Sequence, residues 1–109
     1  MNDTLTQLYN VILKRKNSAE SDDKSYTRYL FEQGQNKILK KLGEECTETI
    51  IASKDDNQAE LVNELAYLTY HMLVLMACKN VPLTALCDEL NNRSAKMGNL
   101  KVANVKGEL

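Results

Sequence analysis

Apolar residues recur at helical spacing along most of the chain. Leu5, Leu8, Tyr9, Ile12 and Leu13 fall at intervals of three and four, which predicts an amphipathic helix from about Asp3 to Lys16. Asn17 to Ser25 is polar and charged without periodicity, and reads as a loop inside one domain. Tyr26 to Glu32 suits a short helical turn ending at Gly34, a C-cap or hinge. Gln35 to Lys54 then reads as one long helix, with Ile38, Leu39, Leu42, Cys46, Ile50 and Ile51 as its apolar stripe. Asp55, Asp56 and Asn57 break it and supply a cap for the next helix, from about Gln58 to Lys79. That helix carries Leu61, Leu65, Leu68, Met72, Leu75 and Met76 and is apolar over much of its circumference. Such a helix belongs at the centre of a bundle or inside an oligomer interface. Asn80 ends it, and Pro82 opens a last helix running to about Lys96 with Leu83, Leu86, Cys87 and Leu90. Nothing alternates with period two for long, and no internal repeat is present. The expected fold is a single all-α domain over residues 1–109, a bundle of about four helices with two long antiparallel central ones. The weakly patterned tail, Gly98 to Leu109, is expected to be mobile.

Composition narrows the function classes. The 109 residues bury roughly two-thirds of their unfolded surface, a modest core that directs attention to a partner surface. No uninterrupted apolar run of about 18 residues exists, and Met1 to Tyr9 lacks the pattern of a secretory signal. Fourteen Lys and Arg balance fifteen Asp and Glu, a net charge of -1, so the chain has no electrostatic footprint for nucleic acid or an anionic membrane. Cys46, Cys78 and Cys87 are odd in number and lack a CxxC or a nearby histidine, and so read as reduced, half-buried cytosolic thiols.

The chemistry concentrates in Lys37-Ile-Leu-Lys-Lys-Leu-Gly-Glu-Glu-Cys-Thr-Glu48. At about 100° per residue, Glu45 and Glu48 share a stripe, and Glu44 and Glu48 lie one turn apart. Like charges at that spacing repel. They are a solvated acidic face beside Lys40 and Lys41, or they converge on a hard divalent cation, which takes oxygen ligands. Glu64 on the next helix bears on the choice. With the turn near Asp56, Glu48 lies about eight residues before it and Glu64 about eight after, so antiparallel packing makes them face. Lys37 and Lys41 sit on nearly the same stripe, and either meet the phosphates of an anionic ligand or pair within the helix, Lys41 with Glu45. His71, seven residues after Glu64, is a ligand, a proton carrier or a packed histidine with one nitrogen satisfied; its neighbours Tyr70, Met72 and Leu73 suit the last. Tyr26 and Tyr29 stack on a base or pack under the loop. There is no Ser/His/Asp set and no phosphate-binding glycine loop.

Three blocks in order resemble one family: Ser25-Tyr-Thr-Arg-Tyr-Leu-Phe-Glu-Gln-Gly34, the Lys37–Glu48 segment, and Glu64-Leu-Ala-Tyr-Leu-Thr-Tyr-His-Met-Leu-Val-Leu75. They are similar to phosphoribosyl-ATP pyrophosphohydrolases, within the wider all-α, MazG-like nucleoside-triphosphate pyrophosphohydrolases. The resemblance spans about Leu5 to Arg93. It implies cleavage of the α–β phosphoanhydride of phosphoribosyl-ATP to phosphoribosyl-AMP and pyrophosphate, the second step of histidine biosynthesis. It also implies Mg2+ as cofactor and a cytoplasmic homodimer that completes the bundle. Glu45, Glu48 and Glu64 match its metal-binding positions. Glu44 matches the first motif glutamate, which binds metal or orients water. Lys37, Lys41 and Tyr26 are the candidate substrate-binding residues. The family pattern has Asp where this chain has Tyr67, and a phenol is a poor magnesium ligand, with a pKa of about 10. Either the three glutamates suffice, or Glu60 or His71 compensates, or activity is weak. The alternatives are action on another nucleotide and a non-catalytic helical dimer.

Overall fold

The computed structural model describes residues 3–18 and 24–97, and among these it contains five helices and no strand. They are α1 (Asp3–Lys16), α2 (Tyr26–Gln33), α3 (Gln35–Ser53), α4 (Gln58–Cys78) and α5 (Leu83–Met97). The all-α expectation holds, and the long-helix boundaries agree to within a residue. The segment expected to form a short helical turn, Tyr26 to Glu32, is a full helix, α2, so the described residues hold five helices where about four are expected. The tail from Gly98, with its expected mobility, and residues 19–23 of the loop lie outside the described residues.

Each boundary has a local cause. The Ser25 side chain accepts from the Arg28 amide at 3.0 Å and starts α2. Gly34 ends it with its amide donating to Leu30, and at once precedes α3. Its φ of 96° and ψ of 178° lie in a region open essentially to glycine alone. The Asn57 side chain accepts from the Glu60 amide at 3.0 Å and caps α4. At the other end Asn80 takes φ 61°. The amides of Val81 and Asn80 return to Met76 and Ala77, the paired bonds of a Schellman ending.

The core lies at one end of the bundle. Ile12, Leu30, Ile38, Leu73 and Val74 are fully buried, each contributing about 1.5–3 kcal/mol of apolar burial. Leu83 and Leu86 of α5 pack against this cluster. Lys16 clamps the same end, donating to the Ala77 carbonyl at 2.7 Å and to Asn80 Oδ1 at 2.8 Å. The Tyr9 hydroxyl donates to the Val81 carbonyl, and Arg28 Nη1 to the Lys16 carbonyl, which ties α2 to this clamp.

Apolar residues at the opposite end are not buried as their periodicity suggests. On α3 only Ile38 of the expected stripe is buried; Leu42 is half-buried, and Leu39, Cys46, Ile50 and Ile51 are exposed. On α4, Leu65 and Met72 are exposed as well. The reason is that α1 and α2 cover the C-terminal half of α4 and the start of α3, leaving the α3–α4 hairpin covered on one side. Cys46 is therefore an exposed thiol, not a half-buried one, while Cys78 and Cys87 are half-buried. Among the described residues α4 is the one helix long and apolar enough to cross a membrane by length and composition. It is nonetheless the helix on which α1 and α3 pack, and it carries Glu60 and Glu64.

Candidate active site

The turn at residues 54–57 returns the chain so that α4 runs back along α3. The Thr49 hydroxyl fixes the register. It donates to the Glu45 carbonyl at 2.7 Å in its own helix and lies 3.4 Å from the Glu64 carbonyl across the interface. Glu45 and Glu48 sit on the α3 face that meets Glu64, and one carboxylate oxygen from each lies within 4.8 Å of the others. The facing expected from residue counting about the turn is what the backbone delivers.

These carboxylates are poorly served by the protein. Glu64 keeps 9% of its exposure, and Glu45 is half-buried. Glu64 Oε1 and Glu45 Oε1 are buried with no hydrogen-bond partner. Ionised carboxylates are acceptors only, so this cluster holds no donor for its own oxygens. Burial first, then hydrogen bonding with Glu45 and Glu60, then the charges of Glu48 and Glu45 push the Glu64 carboxyl up to about 7 from an ordinary 4.5. A proton on Glu64 is the one donor the cluster can find within itself. A hard divalent cation answers the same need. Magnesium at about 2.1 Å from each oxygen wants ligand oxygens roughly 3 to 4 Å apart. The three carboxylates fit it with small side-chain adjustments. Beside them opens a cleft of about 220 Å³, lined by Glu48, Ile51, Ala52, Asp55, Glu60 and Glu64. Glu60 lies one turn before Glu64, and the sequence offers it as a substitute for the missing Asp; Asp55, which the sequence marks as a helix breaker and a candidate cap, also lines this cleft.

The remaining candidates are more dispersed. Glu44 is exposed and stands apart from the three, 3.8 Å from Lys41. The lysine's intrahelical partner is thus Glu44, not Glu45. Lys37 Nζ sits 6.0 Å from the centre of the Tyr29 ring. Tyr26 opens α2 as part of an aromatic face, stacked at 6.0 Å on Tyr29 and 6.2 Å on Tyr70. Burial, then the charges of Glu45, Tyr29 and Glu44, raise the Tyr26 phenol above its usual range, so it is protonated at neutral pH. His71 is buried with both ring nitrogens engaged, Nδ1 at 2.8 Å from the Tyr67 carbonyl and Nε2 at 3.2 Å from the Tyr26 hydroxyl. It is a packed histidine, with two partners where one was expected, and those partners leave its ring no free nitrogen for a metal. The Tyr67 side chain is 51% exposed.

Comparison with known proteins identifies the family. The family model described as phosphoribosyl-ATP pyrophosphohydrolase matches residues 5–94. A phosphoribosyl-ATP pyrophosphatase of Clostridium acetobutylicum is 53% identical over 100 residues, covering 92% of this chain and 89% of that protein. The protein of the same name from Listeria welshimeri is 58% identical over 93 residues, covering 85% and 87%. That from Bacillus mycoides is 47% identical over 97 residues, covering 89% of each. Matched over most of its length in both kinds of comparison, this chain belongs to the phosphoribosyl-ATP pyrophosphohydrolase family.

Proposed function

We propose that this chain hydrolyses the α–β phosphoanhydride of phosphoribosyl-ATP, giving phosphoribosyl-AMP and pyrophosphate in histidine biosynthesis, with Mg2+ held by Glu45, Glu48 and Glu64. It does so as a cytoplasmic homodimer. The observation that carries the reading is the convergence of three carboxylates from two helices with buried oxygens left unpartnered.

The residues divide the work by charge. A triphosphate is repelled by an acidic site, so the glutamates would serve only with a cation bound to them. Bound magnesium supplies charge neutralisation on the phosphates and acidifies water in its shell. Glu45, Glu48 and Glu64 fix where that charge sits. Lys41 and Lys37, one and two turns before Glu45 on α3, hold phosphate oxygens. Glu44, beside Lys41, accepts the proton of the attacking water. Tyr26 takes the nucleoside side. Reactions of this class depend on positioning and charge stabilisation more than on a protein nucleophile.

The test is pyrophosphate release from phosphoribosyl-ATP with and without magnesium, repeated on Glu48→Gln. Glu48 is exposed, so the amide removes charge without opening the core. Magnesium-dependent release that falls by at least about a hundredfold in the variant is expected. Undiminished release in the variant would remove Glu48 from the site. A panel of other nucleoside triphosphates, hydrolysed less well than phosphoribosyl-ATP, separates this reading from action on another nucleotide.

A further inference from the structure

We infer that His71 is a positioning residue, whose Nδ1–H tautomer turns the Tyr26 hydroxyl so that its oxygen accepts a hydrogen bond from the nucleoside part of the substrate. The substrate contact rests on the function proposed above; the tautomer does not.

The assignment follows from donor and acceptor roles. The Tyr67 carbonyl, 2.8 Å from Nδ1, can only accept, so Nδ1 carries the hydrogen. In a neutral imidazole the other nitrogen then has a lone pair and no proton. The Tyr26 hydroxyl at 3.2 Å from Nε2 must therefore donate to it. His71 is 3% exposed, so bulk water does not compete for either nitrogen. Tyr26 is held on three sides, against Tyr29 and Tyr70 and edge-on to the histidine at 5.8 Å. Its proton is committed inward, so toward any ligand at this 44% exposed residue the oxygen can only accept.

That polarity selects the ligand group. A phosphate oxygen brings no proton and gains nothing at Tyr26. Glu44 and Glu45, whose charges bear on this phenol, are acceptors too and cannot serve it. An amino, imino or hydroxyl group of the nucleoside fits. Lys37, against the Tyr29 ring, offers a cation to the phosphates at the neighbouring edge of the same aromatic face. The two ends of a nucleotide are thereby told apart by one acceptor and one cation.

The chain has a single histidine, so the tautomer can be read on the intact protein without mutation. Long-range proton–nitrogen spectra at pH 8 are expected to show Nδ1 protonated and Nε2 bare. An Nε2–H tautomer would overturn the inference whatever the enzyme does. For the contact, Tyr26→Phe and His71→Asn are each expected to raise KM for phosphoribosyl-ATP about three- to tenfold with a smaller change in kcat. The asparagine amide can still donate to the Tyr67 carbonyl but places nothing at the Nε2 position. The double variant should be no worse than either single one, and His71→Gln, which reaches further, should recover part of the loss. Multiplying effects, or a wild-type KM in soluble His71→Asn, would overturn the positioning role while leaving the proposed activity intact. Wild-type protein with no turnover would overturn the contact together with the function beneath it.

Discussion

Glu64 is the residue at which the metal-free protein and the magnesium complex proposed above would differ most. Its carboxyl titrates near 7 in the folded chain and near 4.5 in an ordinary setting, so between those values the folded state binds a proton the unfolded state does not. The stabilisation this gives is complete below about pH 4.5 and is lost as pH rises through 7. Glu64→Gln cannot ionise, so its melting temperature without metal should fall less than that of the wild type between pH 5 and 8. The same variant should bind metal far more weakly, a trade of function for stability that a thermal scan with and without magnesium reads directly. Metal uptake by the wild type should release about one proton near pH 6 and none near pH 8. Calorimetry in two buffers of different ionisation enthalpy measures that difference, and equal release at both pH values would mean that Glu64 is not a ligand. Tyr67 is the companion case. It lies three positions after Glu64 on α4, and Tyr67→Asp adds a carboxylate at the family's own position. Tighter magnesium binding is expected in the same titration, and an unchanged affinity would show that position 67 faces away from the ion.

Two glycines show how the helices themselves are specified. Gly34 joins α2 to α3 with a φ of 96°, so Gly34→Ala strains the backbone although its methyl meets open space. A loss of about 1–3 kcal/mol is expected by denaturant unfolding. Gly43 lies inside α3, where an added methyl also meets nothing, so Gly43→Ala should raise stability by about 0.5–1 kcal/mol in the isolated chain. The sequence made the helices legible because three- and four-residue spacing persists through α1, α3, α4 and α5. It was less informative about α2, since eight residues offer barely two turns of periodicity. The carboxylate site was legible because Glu48 and Glu64 are nearly equidistant from a turn marked by Asp55, Asp56 and Asn57. The separation of Glu44 from Glu45 depends on how far α3 is rotated against α4, which spacing alone leaves open. The pairing of Tyr26 with His71 joins positions 45 residues apart and is fixed by how α2 docks on α4, through contacts such as the Thr27 and Tyr70 hydroxyls. No local pattern encodes that docking.

The whole molecule is longer than its size requires. It extends 54 × 33 × 26 Å with a radius of gyration of 16.5 Å, against about 13 Å for a compact chain of this length. The excess length goes with the placement of the core, which gathers at the α1–α2 end while the α3–α4 hairpin stays partly uncovered. On that hairpin Leu39, Gly43, Cys46 and Ile50 fall on one stripe of α3, and Val62, Leu65 and Met72 on one side of α4. Ile50, a position the helical period assigns to a core, is 59% exposed, and Val62 is 57% exposed, high values for large aliphatic side chains. Isolated exposed apolar residues are ordinary, but adjacent stripes on two packed helices form a continuous face suited to another helix pair. The homodimer proposed above supplies one from a second copy, and a two-fold axis lets the same stripes serve both partners. It also gives the open space over Gly43 a use, since close helix approach favours a residue without a side chain. Wild-type protein should therefore sediment as a dimer, with a melting temperature that rises with concentration. Leu65→Glu places a charge on that face, 43% exposed in the single chain, with little cost to the distant core. It should sediment as a monomer, melt lower, and lose the concentration dependence while remaining helical. Gly43→Ala then gains a second reading. If the methyl stabilises a monomeric Leu65→Glu background yet weakens the wild-type dimer, the glycine is kept for assembly. Stabilisation in both backgrounds would leave the α3 stripe outside the interface.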